Sequence, residues 1–338
     1  MIAQAQRLMH RGVGHAQRRW LAPLASLRLT LVLIALLGAA VIATYVSALR
    51  SPWPLAVTLG LIAVNLGCAV LTNAVFRRQT ALLVFHLALM AIVLLVAAGR
   101  LTYLKGQLEL STGETFGGEL TQSESGPWHR RGLVEARFTS LGFTIAYHPG
   151  IKRDRTENTV LWSDGAGHQQ RAVIGDNQPL VLNGYRFYTS PNKGFAPLFT
   201  WYPARGAPQR GTVHLPSYPM NEYRQAREWT VPGTDVALWT MLQFDEVLLD
   251  PARASQFRLP GEHTLVVRVG EERHELVPGQ RLALPRGVLA YDGLTTWMGY
   301  NVFYDWTMPW VLAACLLAVA SLAWHFGRKF AARPWSDA

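Results

Sequence analysis

The sequence contains few cysteines, and its long polar middle has none. There are two in 338 residues, Cys68 and Cys315, and both lie inside apolar runs. The polar region between them therefore cannot form a disulfide. The chain also lacks a C-x-x-C pair, which excludes thiol exchange by this protein itself, and a C-x-x-C-H motif, which excludes the usual covalent attachment of haem.

Catalytic motifs are missing as well. The chain has no G-x-S-x-G, no H-E-x-x-H and no phosphate-binding P-loop. The acidic pairs at 245–246 and 271–272 are adjacent in sequence, and neighbours on a strand point to opposite faces, so the two carboxylates of a pair cannot cooperate. We therefore expect a protein that is not catalytic by itself.

Charged residues are absent from four long stretches of the chain, at 29–49, 54–76, 81–99 and 309–326. About 20 apolar residues in a helix cross the hydrocarbon core of a bilayer. The first run exceeds the roughly 7–15 apolar residues of a signal peptide, so we expect it to be a span. The predicted divisions are a basic N-terminal segment 1–28, a three-helix transmembrane region 29–103, a β-rich domain 104–304, a fourth transmembrane helix 305–327 and a tail 328–338.

Nearly all of the net charge of +10 lies in three short segments. Residues 1–28, the loop 77–80 and the tail after 327 together hold ten Arg or Lys and a single Asp. Because cytoplasmic flanks retain Lys and Arg, this pattern predicts an inner-membrane protein with both termini in the cytoplasm and residues 100–308 mostly periplasmic. The rest of the chain is almost neutral, which argues against nucleic-acid binding.

The region between the third and fourth spans contains many short β-rich runs separated by Gly, Pro, Asn and Asp. Such a pattern is typical of a β-sandwich or an open barrel, here an extracytoplasmic domain. Helical periodicity appears only weakly, at 221–228. The predicted strands are 107–111, 133–138, 143–147, 159–162, 180–188, 198–202, 236–244, 264–269 and 288–291.

His86 is the only ionisable side chain well inside a predicted span. It lies six residues past the second loop, or about 10 Å below the membrane surface at helical rise. Polar groups at such depth usually face a partner, a cavity or a cofactor, and a neutral imidazole is a good axial ligand for haem iron. The alternative is a hydrogen bond to Asn65 or Asn73 of the second span, and the residues alone leave both open.

Two further features lie beside the fourth span. His325 is close to Arg328 and Lys329 and is favoured as an interfacial histidine, with haem ligation as the alternative. Six aromatic residues lie at the entry to the span and form either an interfacial belt or a platform for a flat ligand. They are Trp297, Tyr300, Phe303, Tyr304, Trp306 and Trp310.

Three short motifs, together with the order of the parts, carry a family resemblance. The first is Asn-Leu-Gly-Cys at 65–68, and the second is Phe-His-Leu at 85–87. The most specific is Asn-Gln-Pro-Leu at 177–180 followed by Asn-Gly-Tyr-Arg-Phe-Tyr-Thr-Ser at 183–190. The chain thus resembles the ResB family of cytochrome c biogenesis, with Thr189 where that family usually has Gln.

The resemblance implies a subunit of a system II cytochrome c synthase, part of a haem lyase complex. Such a subunit works with a ResC- or CcsA-type membrane partner to deliver haem across the membrane and ligate it to apocytochrome c. His86 is implied as an axial ligand of a non-covalent haem b shared with that partner. The motif at 177–190 supplies candidate docking residues, which are Asn177, Pro179, Gly184, Tyr188 and Ser190.

Two other functions remain open at this point. One is a haem-free membrane scaffold that docks apocytochrome c or a thioredoxin-like thiol reductant. The other is a transporter subunit, but the spans carry no charged pathway residues, and His86 is their only well-embedded ionisable group.

Overall fold

The computed structural model describes residues 21–46, 51–130, 132–220 and 224–331. Four long helices of 20 to 24 residues are each apolar enough to cross a membrane. Their length is about 30–36 Å at helical rise, which confirms the four predicted runs as apolar helices, three N-terminal and one C-terminal. The helices are α1 (Leu27–Val46), α2 (Trp53–Thr72), the short α3 (Ala74–Arg78), α4 (Thr80–Thr102) and α5 (Met308–Ala331). Most of the predicted basic N-terminal segment, with its arginines at 7–19, and the tail beyond 331 lie outside the described residues.

The second apolar run is shorter as a helix than its composition predicts. Helix α2 ends at Thr72, and Asn73 adopts an extended conformation with φ −83° and ψ 120°. Its side-chain oxygen accepts a hydrogen bond from the Val75 amide at 3.0 Å and so caps α3. The apolar residues 74–76 therefore belong to a separate short helix.

The helices bury small residues and expose large ones. Ala56, Ala63 and Ala88 are at most 6% exposed, whereas Leu27 and Ile42 of α1 are more than 60% exposed. Close packing through alanines with leucines directed outward is the arrangement that suits a lipid solvent, because association there depends on close backbone approach.

Two compact units divide the chain. The helical unit takes residues up to 104, the segment 124–130 and residues from 305 on, and the β-rich unit takes 105–123 and 131–304. Within the helical unit, the Gly126 amide donates to the Tyr103 carbonyl at 2.9 Å and the Trp128 amide donates to the Leu101 carbonyl at 2.8 Å. A Cβ at Gly126 would lie 2.3 Å from the Leu101 carbonyl carbon, so the approach requires glycine.

Three sheets make up the β-rich region. The first has seven strands in the order β2-β1-β15-β7-β6, with β14 beside β15 and β8 beside β7. The second has the order β13-β12-β10-β9, and the third β11-β3-β4-β5. The strands are β1 (Leu104–Ser111), β2 (Gln122–Ser125), β3 (Phe138–His148), β4 (Lys152–Ser163), β5 (Gln169–Gly175), β6 (Leu180–Leu182), β7 (Tyr185–Pro203), β8 (Gln209–Thr212), β9 (Ala226–Thr230), β10 (Ala237–Gln243), β11 (Ser255–Gln256), β12 (Thr264–Val269), β13 (Glu272–Leu276), β14 (Arg281–Leu284) and β15 (Gly287–Tyr304).

Strands β7 and β15 form the longest antiparallel pair of the described chain, with 19 and 18 residues. Their register runs from Tyr185 opposite Tyr304 to Pro203 opposite Gly287. One register shift separates Met298 from Tyr300, and there residues 190–192 of β7 bulge out of the ladder. A bulge of this kind bends a strand and redirects its side chains.

Several strand predictions were wrong in detail. The runs 198–202 and 288–291 are pieces of β7 and β15, and the run 180–188 is two strands joined by a turn at Asn183-Gly184. Leu133–Glu135 is a 3₁₀ turn rather than a strand. The weak helical pattern ends in strand β9, and residues 221–223 lie outside the described residues. The three-sheet arrangement differs from a two-sheet sandwich or a single barrel.

A buried hydrogen-bond network joins the first sheet to the third. The Tyr300 hydroxyl donates to the Asn158 side-chain oxygen at 2.9 Å, and the Asn158 amide donates to the Gly142 carbonyl at 2.9 Å. Tyr300 and Trp297 are at most 3% exposed. These two aromatics are therefore core residues, so the predicted belt or platform before the fourth span loses them, while Phe303, Trp306 and Trp310 are exposed.

Replacing Tyr300 with phenylalanine tests this network. Tyr300→Phe leaves the buried Asn158 oxygen without its donor, so we expect the β-rich unit to lose about 1–3 kcal/mol of unfolding free energy. Thermal unfolding of the detergent-purified protein measures the change. Tyr188→Phe, at a half-exposed position of β7, is the matched control and is expected to leave the midpoint in place. Equal midpoints for the two variants would contradict the structural role.

Candidate functional site

His86 lies in the second turn of α4 and is packed between two aromatic rings. Its imidazole is 4.6 Å from the Phe76 ring of α3 and 5.3 Å from the Phe85 ring, centroid to centroid. The histidine is half-buried, and Phe76 is 8% exposed. The short helix α3 thus supplies one wall of an apolar, aromatic environment around the imidazole.

One hydrogen bond determines which ring nitrogen of His86 carries the proton. Nδ1 lies 2.7 Å from the Leu82 carbonyl oxygen, one turn earlier in the same helix. A carbonyl oxygen can only accept, so Nδ1 must be the donor. A neutral imidazole then has its lone pair on Nε2, which is the nitrogen that a metal would take. Backbone bonds of this type fix the tautomer and orientation of metal-ligating histidines.

The two asparagines that could have bound His86 are engaged elsewhere. The Asn65 side-chain amide donates to the Leu24 carbonyl, and its oxygen accepts from the Thr30 hydroxyl at 2.7 Å. Asn73 caps α3. Both amides therefore stabilise the helical unit itself, and the polar contact of His86 is with its own helix.

His325 lies toward the same end of the helix pair as His86. Helices α4 and α5 pack together, and Gly99 approaches Thr307, where an added Cβ would lie 2.8 Å from the hydroxyl oxygen. Counted from that contact, His86 is about 20 Å along α4 and His325 about 27 Å along α5. His325 is half-buried, and its ring contacts Phe326 at 5.4 Å.

The motif at 177–190 builds a turn, a hairpin and a bulge. The Gly175 amide donates to the Gln178 carbonyl at 2.9 Å, which closes the turn containing Asn177 and places Pro179 before β6. Asn183 and Gly184 have φ values of 50° and 82°, as a two-residue hairpin turn requires. The Asn-Gly pair of this motif is thus explained by the backbone conformation of the hairpin turn.

The docking candidates within the motif differ in exposure. Asn177 and Gly184 are exposed, whereas Pro179 and Tyr188 are half-buried. Ser190 is 5% exposed, and its hydroxyl accepts from the Asn192 amide at 3.1 Å within the bulge. Tyr188 packs edge-on against Phe303 at 6.0 Å. Asn177 and the hairpin turn at Asn183-Gly184 are therefore accessible at the surface, whereas the Ser190 side chain is not.

Comparison with protein families decides the affiliation. The model of the ResB-like family matches residues 67–329, which is most of the chain and includes α4, all three sheets and most of α5. The chain belongs to the ResB-like family. This membership implies a role in cytochrome c biogenesis and fits a membrane protein with membrane partners. No curated protein matches the chain.

In this ResB-like protein the fold assembles a relay that motif searches miss. The His214 Nδ1 donates to the Glu109 carboxylate at 2.9 Å, and the Ser111 hydroxyl lies 2.9 Å from His214 Nε2. Serine, histidine and carboxylate in this order have the connectivity of a hydrolase triad. His214 lies 103 positions after Ser111 and 105 after Glu109, so no local motif could reveal the three together.

The surroundings of the relay indicate a structural role. Ser111 is 3% exposed, and Thr212 also bonds its hydroxyl, at 2.7 Å. The Trp297 ring stacks on the His214 ring at 5.2 Å with an interplanar angle of 12°. A hydroxyl enclosed on all these sides cannot reach a substrate. The relay therefore ties β1 to the chain that follows β8.

Substitution of Ser111 separates the two interpretations of the relay. Ser111→Ala removes the hydroxyl that bonds the half-buried Thr212 hydroxyl and His214 Nε2, so we expect a loss of about 1 kcal/mol in unfolding free energy. We also expect no labelling of the unmodified protein by a fluorophosphonate, the general probe of activated serines. Covalent labelling that disappears in Ser111→Ala would overturn the structural assignment.

Proposed function

We propose that this protein is the haem-handling subunit of a cytochrome c synthase, acting with a ResC- or CcsA-type partner. The observation that carries the proposal is His86, whose Nδ1 proton is held by the Leu82 carbonyl and whose Nε2 is left as a ligand. Haem b, bound without a covalent link, would be the cargo transferred to apocytochrome c. The family affiliation supports the setting.

The residues around His86 suit an iron porphyrin. The flanking Phe76 and Phe85 rings give apolar contact, and burial of a porphyrin face against such rings is favourable. Leu82 keeps the imidazole in one orientation. A histidine axial ligand is a standard way to hold haem iron. The second axial ligand would come from His325 or from the partner.

The proposed orientation follows from charge. Arg78 adjoins the His86 end of α4, and Arg328 and Lys329 lie in the last turn of α5. Positive flanks of this kind remain in the cytoplasm, so His86 would take haem from the cytoplasmic half of the membrane. The β-rich region would then lie in the periplasm, where apocytochrome c and its thiol reductant are found.

Loss of haem from a His86 variant tests the ligand. We expect the complex with the partner, purified in detergent, to show the spectrum of reduced b-type haem after dithionite. His86→Ala should lower the haem content about tenfold or more, because an axial bond and its orientation are lost together. His168→Ala, an exposed histidine in a β turn, is the matched control.

The same spectra distinguish the competing functions. Full haem content in His86→Ala would remove this residue from the site, and a loss only in His325→Ala would move the ligand to α5. A haem-free complex whose deletion still abolishes cytochrome c assembly would identify a docking scaffold. The transporter alternative predicts no haem and no effect on cytochrome c.

A second test addresses the orientation in the membrane. In a background with Cys68 and Cys315 replaced by serine, Gly165→Cys places a thiol in an exposed turn of the β-rich region, and Arg78→Cys places one in the proposed cytoplasmic loop. A membrane-impermeant maleimide should label position 165 in spheroplasts and position 78 only after lysis. The reverse pattern would invert the proposed topology.

A further inference from the structure

Lys193 is a buried lysine of β7 that directly follows the bulge at residues 190–192. Its residue exposure is 5%, and its ammonium donates one hydrogen bond, to the Pro191 carbonyl at 3.3 Å. The ammonium also lies 5.6 Å from the centre of the Tyr147 ring. Burial, together with the nearby Arg153 cation, lowers the pKa of Lys193 to about 8. Burying a lysine without a paired carboxylate is costly.

Two hydroxyls on the adjoining sheet lack partners within the described chain. Tyr147 of β3 is 3% exposed, and its hydroxyl has no hydrogen bond. The Ser255 hydroxyl of β11 is likewise buried and unpaired. Ser255 is directly opposite Tyr147, and Arg153 of β4 is opposite Tyr147 on the other side. Residues that face each other across strands share a face, so these side chains are neighbours.

The charges of this cluster favour a single negative charge. Arg153 pairs with Asp176 at 3.3 Å, and Thr189 donates to the same carboxylate at 3.1 Å. Arg153 and Lys193 outnumber Asp176, so the cluster has one positive charge in excess. A monoanion would neutralise it, whereas a phosphate dianion would leave the cluster with one negative charge in excess.

The cluster can be reached from the surface. Pro191 and Asn192 beside it are exposed, and the side chains of Arg153 and Asp176 are about a third exposed. Tyr218, whose amide donates to the Lys193 carbonyl, also lines a cleft of about 1420 Å³. The cleft wall carries four carboxylates and no Lys or Arg, and two of these carboxylates, Glu246 and Glu275, pair with Arg258 and Arg273. The Lys193 cluster therefore suits a negative group better than the lining of the cleft does.

We propose that Lys193, Arg153, Tyr147 and Ser255 form a binding site for a carboxylate. The site combines the Lys193 ammonium, the Arg153 guanidinium and two buried hydroxyls, those of Tyr147 and Ser255, that have no hydrogen-bond partner in the described chain, and it has a net positive charge. Carboxylates are recognised by charge-assisted hydrogen bonds of this type. The carboxylate could be a propionate of haem or the carboxylate of a peptide, and the site does not involve His86.

Protection of Lys193 from acylation provides the test. The chain has four lysines, at positions 105, 152, 193 and 329, so mass spectrometry resolves each one after trace acetylation of the full-length protein. A bound carboxylate raises the pKa of a lysine, and a rise of one unit slows acetylation about tenfold. The probes are benzoate, iron protoporphyrin IX and its dimethyl ester, and the control is chloride at the same ionic strength. The haem probes are tested on the His86→Ala variant, which lacks the other proposed haem ligand.

We expect benzoate to slow labelling of Lys193 while Lys152, exposed in the same unit, is unaffected. Protection by iron protoporphyrin IX but not by its dimethyl ester would identify a haem propionate as the source. Protection by benzoate but not by iron protoporphyrin IX would keep the carboxylate site and exclude a haem propionate as its source, which leaves the carboxylate of a peptide. No protection by either acid, or equal protection by the acid and the ester, would overturn the proposal.

A variant of Tyr147 keeps the test independent of folding. Tyr147→Phe removes only an unpaired hydroxyl, so the unfolding midpoint should stay the same or rise. The same substitution should weaken benzoate protection about tenfold, because a hydrogen bond to a charged group is lost. Tyr188→Phe, outside the cluster, is the matched control. Undiminished protection in Tyr147→Phe would contradict the role given to its hydroxyl.

Discussion

The antiparallel pairing of β7 with β15 is the constraint on which the β-rich unit depends. These two strands form the centre of the seven-stranded sheet, and β1, β6, β8 and β14 are attached to them. Tyr300 and Trp297 on β15 contribute the hydroxyl and indole groups that bind other parts of the unit. A change in the register of this one ladder would displace every one of those contacts, because side chains alternate faces along a strand.

The bulge in this ladder explains why the most specific sequence motif matters. Without the register shift near Tyr300, Lys193 would follow the regular alternation of β7. With it, the chain turns outward at Pro191 and Asn192 and returns with Lys193 buried against Tyr147. Gly299 opposite the bulge has no room for a side chain, since a Cβ would lie 2.6 Å from the Ser190 hydroxyl oxygen. The conformation of the backbone therefore positions the charged cluster.

Composition predicted the helices well and the long strands poorly, for different physical reasons. Crossing a bilayer requires continuous apolar sequence, which is visible in a single chain. Strand β7 passes through Ser190-Pro191-Asn192, residues typical of a turn, so local propensity divides it where tertiary pairing continues it. Leu133 is apolar like a strand residue, but the chain turns there through a 3₁₀ helix.

Of the candidate sites, one could be predicted from the sequence and the others could not. His86 stands out because it is an ionisable group in an apolar run, and its position alone suggests a ligand. Its tautomer depends on a backbone bond that only the structure reveals. The Lys193 cluster collects residues from positions 147 to 255, and the relay joins Glu109 to His214. Groups so far apart in sequence form no motif, so sequence spacing could not predict that they meet.

The short segment 124–130 has a consequence for how the molecule can be divided. It leaves the β-rich unit, contacts the first residue of α2 through the Trp128 ring, hydrogen-bonds the end of α4 through the Gly126 and Trp128 amides, and returns. A soluble fragment cut at residues 105 and 304 would retain this segment but lose Tyr103, Leu101 and Trp53, its partners. Trp128, already 60% exposed, would then also lose its contact with Trp53, which adds to the exposed apolar surface that favours aggregation. Replacing residues 126–130 with a short polar linker would remove these contacts and keep strand β2 (Gln122–Ser125) in an isolated β-rich unit.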